Sequence, residues 1–380
     1  MSRPFSLLIK PAGADCNLRC DYCFYLEKAD LYGGLRHLHR MSKTVLEALI
    51  RQYMATEQPQ YSFAWQGGEP TLMGPAFFRD AFELQRKYAK PVVPVSNALQ
   101  TNATRINDEL AALFAENNVL VGVSIDGPPD IHDLYRPYES GRGSHAAVMQ
   151  GVETLRRHGV EHNVLTLVNA RNVKDPKRIY HYLKDQGFEY HQYIPCVEYA
   201  PDGSLLPWSV DAESWGDFLC AIYDEWEADP EPPYVRRFDA LMQAALGGPP
   251  AMCTLASSCR QYFVVEHNGD VFPCDFYVRD DMKLGNVTTH RFGEMWMSPM
   301  FRSFGSLKRG LPEECRSCEF LAYCKGDCPK HRWGSGANPV EEGGGAEKKS
   351  ELCAGWKTFF GHAMGSLEKR AKETVGNTWQ

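Results

Sequence analysis

Cys16, Cys20 and Cys23 stand within the stretch Cys16-Asn-Leu-Arg-Cys20-Asp-Tyr-Cys23, spaced x3 and then x2. Three thiolates so close along the chain must share one short loop, and together they reach only three irons of a cubane. The fourth iron is left open, and an open iron is where a small molecule coordinates and receives an electron. The bland reading of the same residues is a three-cysteine zinc site or three unrelated thiols. The rest of the chain decides between them.

The cysteine census extends the argument. The chain carries 13 cysteines in 380 residues, with 43% hydrophobic residues and a net charge of -7. That charge leaves no electrostatic footprint for nucleic acid. No apolar run approaches the ~20 residues that span a bilayer. The stretch from Met1 to Ile9 lacks the apolar core and cleavage site of a signal peptide. The expectation is a cytoplasmic protein with neither nucleic acid nor membrane as partner, where disulfides are rare. Eight cysteines crowd the last third: Cys253, Cys259, Cys274, Cys315, Cys318, Cys324, Cys328 and Cys353. Eight is the number two fully ligated 4Fe-4S clusters require. Two four-cysteine zinc sites are the alternative, since Cys315-x2-Cys318 alone suits zinc equally well. Cys196 and Cys220 are isolated and read as small buried hydrophobes. His37 and His39 read as solvated loop residues.

Short apolar runs alternate with amphipathic segments up to about residue 195. The runs predict strands at Ser6 to Lys10, Tyr61 to Gln66, Ala98 to Asn102, Val119 to Ile125, Asn163 to Val168 and Tyr190 to Ile194. Helices are predicted between them at Ser42 to Ala55, Pro75 to Lys87, Asn107 to Asn117, Ser144 to His158 and Pro176 to Gln186. This alternation implies an α/β fold, a parallel sheet closing as a partial (β/α)6 TIM-like barrel. Active residues of parallel barrels sit at the carboxyl ends of strands. The Cys16 loop, Gly67-Gly-Glu-Pro70 and Thr101-Asn102 all fall at such ends. Gly67 and Gly68 permit close approach of backbone, and Glu69 adds a carboxylate fixed before a proline. Ser124 and Asp126 end the fourth strand, where they either bind ribose hydroxyls or, for Asp126, cap the Gly-Pro turn. A mostly helical stretch from Asp211 to Leu246 leads into the cysteine-rich part. There Gln261 to Cys274 reads as a β-hairpin turning at His267-Asn-Gly269. The Gly/Glu/Lys-rich segment Gly334 to Ser350 reads as a mobile loop, and a terminal helix runs from about Trp356 to Val375. The division is thus a barrel over 1–235 and a cysteine-rich domain with hairpin and terminal helix over 236–380.

The first motif resembles that of the radical S-adenosylmethionine superfamily. Cys259-x9-Gly269-x4-Cys274, Cys315-x2-Cys318-x5-Cys324-x3-Cys328 and Cys353 resemble the SPASM extension of radical enzymes that modify peptides and proteins. Within that group the chain is similar, over nearly its whole length, to anaerobic sulfatase-maturating enzymes. The closer match lies in Leu7-Leu-Ile-Lys-Pro11, Cys23-Phe-Tyr25, Gln66-Gly-Gly-Glu-Pro70, Leu99-Gln-Thr-Asn102, Ser124-Ile-Asp-Gly-Pro128 and Pro273-Cys-Asp-Phe-Tyr277. The chain departs from the pattern in the long Gly/Glu/Lys insertion before Cys353.

The resemblance implies oxidation of a Cys or Ser in an unfolded sulfatase, within a Cys/Ser-x-Pro/Ala-x-Arg motif, to Cα-formylglycine. It implies S-adenosyl-L-methionine and three 4Fe-4S clusters as cofactors. Cys16, Cys20 and Cys23 would hold the radical-generating cluster. Cys253, Cys259, Cys274 and Cys328 would hold one auxiliary cluster, and Cys315, Cys318, Cys324 and Cys353 the other. Tyr22, Gly67, Gly68, Glu69, Ser124 and Asp126 would contact the cofactor. Asp275 would be the general base, and Tyr25, Gln66, Gln100 and Asn102 contacts to the peptide. A donor such as ferredoxin or flavodoxin would supply the electron. The competing enzyme reading is another SPASM-type peptide maturase, one forming thioether or carbon-carbon crosslinks.

Overall fold

A computed structural model describes residues 4–34, 37–200, 202–334, 338–340 and 348–377. Helices and parallel strands alternate as the sequence pattern requires. They run β1 (Ser6–Lys10), α1 (Lys43–Met54), β2 (Tyr61–Trp65), α2 (Gly74–Tyr88), β3 (Val95–Thr101), α3 (Asp108–Glu116) and β4 (Val119–Ser124). There follow α4 (Pro129–Tyr135), α5 (His145–Arg157), β5 (His162–Val168), α6 (Pro176–Asp185), β6 (Tyr190–Pro195), α7 (Ala212–Ala228), β7 (Tyr234–Val235) and α8 (Arg236–Ala245). The hairpin is β8 (Tyr262–Glu266) and β9 (Asp270–Phe272), with a short β10 (Gly285–Asn286) after it. All six strands and five helices expected in the first 195 residues form, with bounds shifted by at most three residues.

Local chemistry explains the bounds. The Ser42 hydroxyl accepts from the Val45 amide and the Asn107 side chain from the Leu110 amide, so both residues cap their helices from outside. β3 starts earlier than expected, at Val95, because Val95, Ser96 and Asn97 pair with Tyr61, Ser62 and Phe63. Asn102 lies beyond its end, its amide donating to Glu69 rather than to a neighbouring strand.

The described residues group into two compact units that interleave along the chain. The first comprises residues up to Ile125, His132–Asn163 and Arg260–Gly305. In it β1, β2, β3 and β4 pair in parallel succession. The hairpin, expected only within the cysteine-rich part, adds to this sheet: β8 pairs in parallel with β1, Ser6 opposite Tyr262 and Lys10 opposite Glu266. Leu7, Ile9, Val264 and Val265 are fully buried, each worth roughly 2 kcal/mol of apolar burial. Phe5, Phe263, Phe292, Trp296 and Phe301 close that end of the core as an aromatic cluster, Phe263 and Phe301 stacking at 4.6 Å.

The second unit comprises Asp126–Ile131, Val164–Cys259 and Ser306 onward. β5, β6 and β7 pair in parallel there. The terminal helix, Cys353–Asn377, packs along α7. The Gly/Glu/Lys-rich segment expected before it lies largely outside the described residues. No helix among the described residues is long and apolar enough to cross a membrane. Gly216 and Gly355 let α7 and the terminal helix approach closely: a Cβ on Gly355 would stand 2.0 Å from the Ala212 carbonyl oxygen. Gly355→Ala is therefore expected to lower the unfolding free energy by about 1–3 kcal/mol in urea titration, as overpacking between two helices does.

Candidate functional site

The cysteine loop is held from three directions. The Gly68 amide donates to the Gly13 carbonyl at 2.8 Å, and the Glu69 amide to the Asp15 carbonyl at 2.7 Å. The Arg19 and Asp21 amides donate to the carbonyls of Pro137 and Tyr135. Asn17 donates to the Thr104 hydroxyl at 2.8 Å and accepts from Asn102 at 3.0 Å. Cys16 Sγ accepts the Leu18 amide at 3.4 Å and the Asn102 side-chain amide at 3.6 Å, and Cys20 and Cys23 join in a tight turn. Such donors are the contacts that tune cluster thiolates. Burial, reinforced by the Glu69 carboxylate, pushes the Cys16 thiol up to about 12. Iron must displace that proton to bind.

Gly67 and Gly68 have no tolerance for a side chain. Gly67 has φ +137°, and a Cβ on Gly68 would lie 2.0 Å from the Asp15 carbonyl oxygen. Glu69 is fully buried and gathers four donors. Its Oε1 accepts the Thr71 amide at 2.9 Å and the hydroxyls of Thr71 and Thr101 at 2.6 and 2.7 Å, while Oε2 accepts the Asn102 amide at 2.8 Å. Burial still raises its pKa above the ordinary value, because every donor is neutral. Three thiols on one loop beside a glycine cradle and a lone-pair-bearing carboxylate fit an open-iron cluster with a small amino-acid cofactor.

The other expected cofactor and peptide residues are placed as follows. Tyr22 is buried and accepts Arg136 Nη1 at 2.9 Å. Gln100 donates to the Ser124 hydroxyl at 2.9 Å. The Gln66 amide donates to the Ile9 carbonyl. Asp126, in the second unit, accepts the Leu167 amide at 3.2 Å. His39, expected to be solvated, is instead buried: Asp15 takes its Nδ1 at 2.7 Å, and the Tyr32 carbonyl its Nε2.

The hairpin brings further chemistry to the same unit. Phe24, next to Cys23, packs on Phe276, next to Asp275, at 4.8 Å. Asp275 Oδ1 accepts the Tyr262 hydroxyl at 3.3 Å, and that hydroxyl also lies 3.3 Å from Cys274 Sγ. The Tyr25 hydroxyl donates to Glu266 Oε1, and its ring carries the Lys10 ammonium at 4.3 Å from its centre. Lys10 Nζ stands 3.9 Å from Asp275 Oδ2. Burial pulls the Lys10 pKa down, against Asp275, Glu266, Cys274 and Cys23, which push it up. Lys10 and Glu266 carry no role in the sequence reading, yet each is the charged last residue of a buried apolar strand. A charge at that position is the signal that would have found them.

In the second unit the thiols form two sets. Cys253 and Cys259 lie close enough to Cys328 to help burial raise its pKa, and Cys259 is itself pushed up to about 12. Cys315, Cys318, Cys324 and Cys353 line a cavity, with Glu314, Lys349 and Trp356 among its walls. Four thiols lining one cavity are the donor set that a fully ligated cluster takes. Asp327 sits between Cys324 and Cys328. It is buried, and it accepts His331 Nδ1 at 2.9 Å, the Ser350 hydroxyl at 2.7 Å and Trp356 Nε1 at 3.0 Å. Burial raises its pKa, but the His331 charge and these donors outweigh it and hold the carboxyl well below its ordinary value. No disulfide joins any two cysteines among the described residues.

Residues 11–183 match the Radical SAM superfamily, and residues 253–319 match an iron-sulfur cluster-binding domain, SPASM. The chain is 39% identical to the serine-type anaerobic sulfatase-maturating enzyme of Bacteroides thetaiotaomicron, over 98% of this chain and 93% of that protein. It is 34% identical to the cysteine-type anaerobic sulfatase-maturating enzyme of Clostridium perfringens, over 96% of this chain and 97% of that protein. It is similar in structure to native anSMEcpe with bound AdoMet and Kp18Cys peptide, with TM-score 0.89 and 34% identity, covering 97% of this chain and 99% of that one.

The four donors around Glu69 give a direct test. Each carboxylate oxygen accepts a backbone N–H, so Glu69→Gln sets its amide nitrogen against a donor-only group of Thr71 or Asn102 whichever way it turns, and stability should fall by ~2–3 kcal/mol in urea titration. Iron retained by the cysteine loop should fall with it, read by colorimetric iron assay.

Proposed function

The chain belongs to the anaerobic sulfatase-maturating enzymes of the radical SAM superfamily, and from that membership we propose that it oxidises a cysteine or serine of an unfolded sulfatase to Cα-formylglycine. The observation that carries the reading is a carboxylate, Asp275, directly after a cluster-type cysteine and in the same unit as the Cys16 loop. A general base for this reaction must lie close both to the substrate hydrogen and to an electron acceptor.

Cys16, Cys20 and Cys23 would hold one 4Fe-4S cluster, Cys253, Cys259, Cys274 and Cys328 a second, and Cys315, Cys318, Cys324 and Cys353 a third. When bound, S-adenosylmethionine and the first cluster supply hydrogen-atom abstraction at Cβ of the target residue, and the auxiliary clusters supply an electron acceptor. Gly67 and Gly68 leave the backbone open to the cofactor, and Glu69 offers the lone pair that its four donors do not occupy. The Ser124 hydroxyl and the Asp126 carboxylate would bind the ribose hydroxyls, and Tyr22, held by Arg136, would contact the cofactor. Asp275 receives the proton of the target thiol or hydroxyl, with its carboxylate oriented by the Tyr262 hydroxyl. Tyr25, Gln66, Gln100 and Asn102 stay in the proposal as peptide or cofactor contacts. Tyr25 and Asn102 are the most constrained of them, being buried and hydrogen-bonded within the scaffold.

The domain division 1–235 and 236–380, a ferredoxin or flavodoxin as donor, and a cytoplasmic setting belong to the same proposal. Its support is chemical: the thiols assigned to clusters, all of the 13 cysteines but Cys196 and Cys220, can serve them only where they stay reduced.

Two experiments test it. Anaerobic incubation of the reconstituted enzyme with S-adenosylmethionine, reductant and a Cys-x-Pro-x-Arg peptide or its Ser counterpart should yield an aldehyde by mass spectrometry, with stoichiometric 5'-deoxyadenosine. Asp275→Asn should form 5'-deoxyadenosine yet lose formylglycine by roughly 10²-fold or more. An unchanged rate, or a crosslinked product in place of the aldehyde, would remove the assignment. Separately, the native chain should carry ~12 irons, and the triple replacement of Cys16, Cys20 and Cys23 by Ala should retain ~8.

A further inference from the structure

At the carboxyl end of β1, Lys10 is fully buried, and among the described residues its Nζ has no hydrogen-bond acceptor. An ammonium carries three donors, and burying them unmade is costly. The fold nevertheless holds this one in place from every side. Gly67 lies beside its stem, at a position whose Cβ would stand 3.4 Å from Lys10 Cδ. The Tyr25 ring lies against the ammonium at 4.3 Å, and the bond from Tyr25 to Glu266 anchors that ring. Asp275 Oδ2, at 3.9 Å, is near enough to attract the charge but too far to accept a hydrogen bond from it. A buried donor fixed beside the base with no acceptor of its own is a donor arranged for a substrate atom.

We propose that Lys10 binds the reacting side chain of the peptide, its ammonium donating to the Sγ or Oγ of the cysteine or serine that Asp275 deprotonates. The inference rests on the role of Asp275 proposed above. The chemistry is one proton transfer. The S–H or O–H bond of the target breaks, the proton moves to Asp275 Oδ2, and the negative charge left on sulfur or oxygen faces the Lys10 ammonium, which keeps its own protons. A donor preorganised where charge develops acts most strongly in a site closed to water. The same contact accounts for a buried lysine at the end of an otherwise apolar strand.

The test compares peptides before it compares proteins. Fluorescently labelled Cys-x-Pro-x-Arg peptide and its counterpart with Ala at the target position are titrated into the reconstituted native enzyme without oxygen and followed by anisotropy. The Ala peptide should bind about 10- to 100-fold more weakly, the difference a hydrogen bond to a charged group makes. In Lys10→Met the two peptides should bind alike, iron content should match the native enzyme, and formylglycine formation should drop about 10²-fold or more. Lys10→Arg, which keeps a cationic donor, should restore part of the discrimination. Asp275→Asn should abolish conversion while still telling the two peptides apart. A native enzyme that converts the Cys peptide but binds both peptides equally overturns the role of Lys10 alone. So does a Lys10→Met enzyme that still discriminates, or one whose lost activity follows lost iron. A native enzyme that makes no formylglycine overturns instead the function on which the inference rests.

Discussion

The arrangement of the first unit depends on the stitching of two loops at the sheet's carboxyl end. Backbone amides of Gly68 and Glu69 donate to carbonyls of Gly13 and Asp15, so neither loop keeps its shape without the other. The contact is possible only because residue 68 has no Cβ, which would sit inside the Asp15 carbonyl. The Glu69 side chain then extends the stitch to the end of β3 through Thr101 and Asn102, and Asn102 extends it back to Asn17 and Cys16. One buried carboxylate thus fixes three loops that three different strands deliver. Precise placement of a thiol trio requires this, because the loop itself has little regular structure to hold it.

The same end of the sheet holds a second polar group, and its logic differs. Glu69 is held by four neutral donors, whereas Lys10, Glu266 and Asp275 are charges balanced against one another across register partners β1 and β8. Buried ions are held economically only when their partners are close and their remaining donors are used. Glu266 uses one oxygen on Tyr25 and leaves the other without a hydrogen-bond partner among the described residues, as Lys10 does its ammonium. Partial satisfaction in a core marks a site shaped for something besides stability. Packing alone would have placed apolar residues there, as it did at Leu7, Ile9, Val264 and Val265.

The alternation of strands and helices was legible because the strands read as short, largely apolar runs with every second residue buried, and because caps such as Ser42 and Asn107 mark helix starts. The thiols were legible because their spacing is local. Less local facts escaped. Nothing in Tyr262-Phe-Val-Val-Glu266 says that it lies beside Ser6 to Lys10, more than 250 residues earlier in the chain. Parallel pairing leaves no turn signal to read. His39 looked solvated because its partner, Asp15, belongs to another loop, and Tyr234–Val235 was too short to give a period. The resemblance implies a peptide contact at Asn102, and its hydrogen bonds to Glu69, Asn17 and Cys16 show how a residue at that strand end also serves the scaffold.

In the second unit the balance shifts from packing to ligation. Between Leu307 and Trp333 the regular structure is a series of turns and helices of only three or four residues, far short of what holds itself together in water. Order comes from buried polar centres. Asp327, held at φ +56° with three donors on its carboxylate, ties its own turn to Ser350 and to Trp356 of the terminal helix. Lys308 ties the start of the segment to the carbonyls of Cys253 and Thr254. Thiol ligation by Cys315, Cys318, Cys324 and Cys353 would complete what these centres begin, because metal binding free energy is folding free energy where no preformed core exists. By carrying both Cys353 and Trp356 and packing through Gly355 on α7, the terminal helix joins the four-thiol cavity to the helical half of the unit.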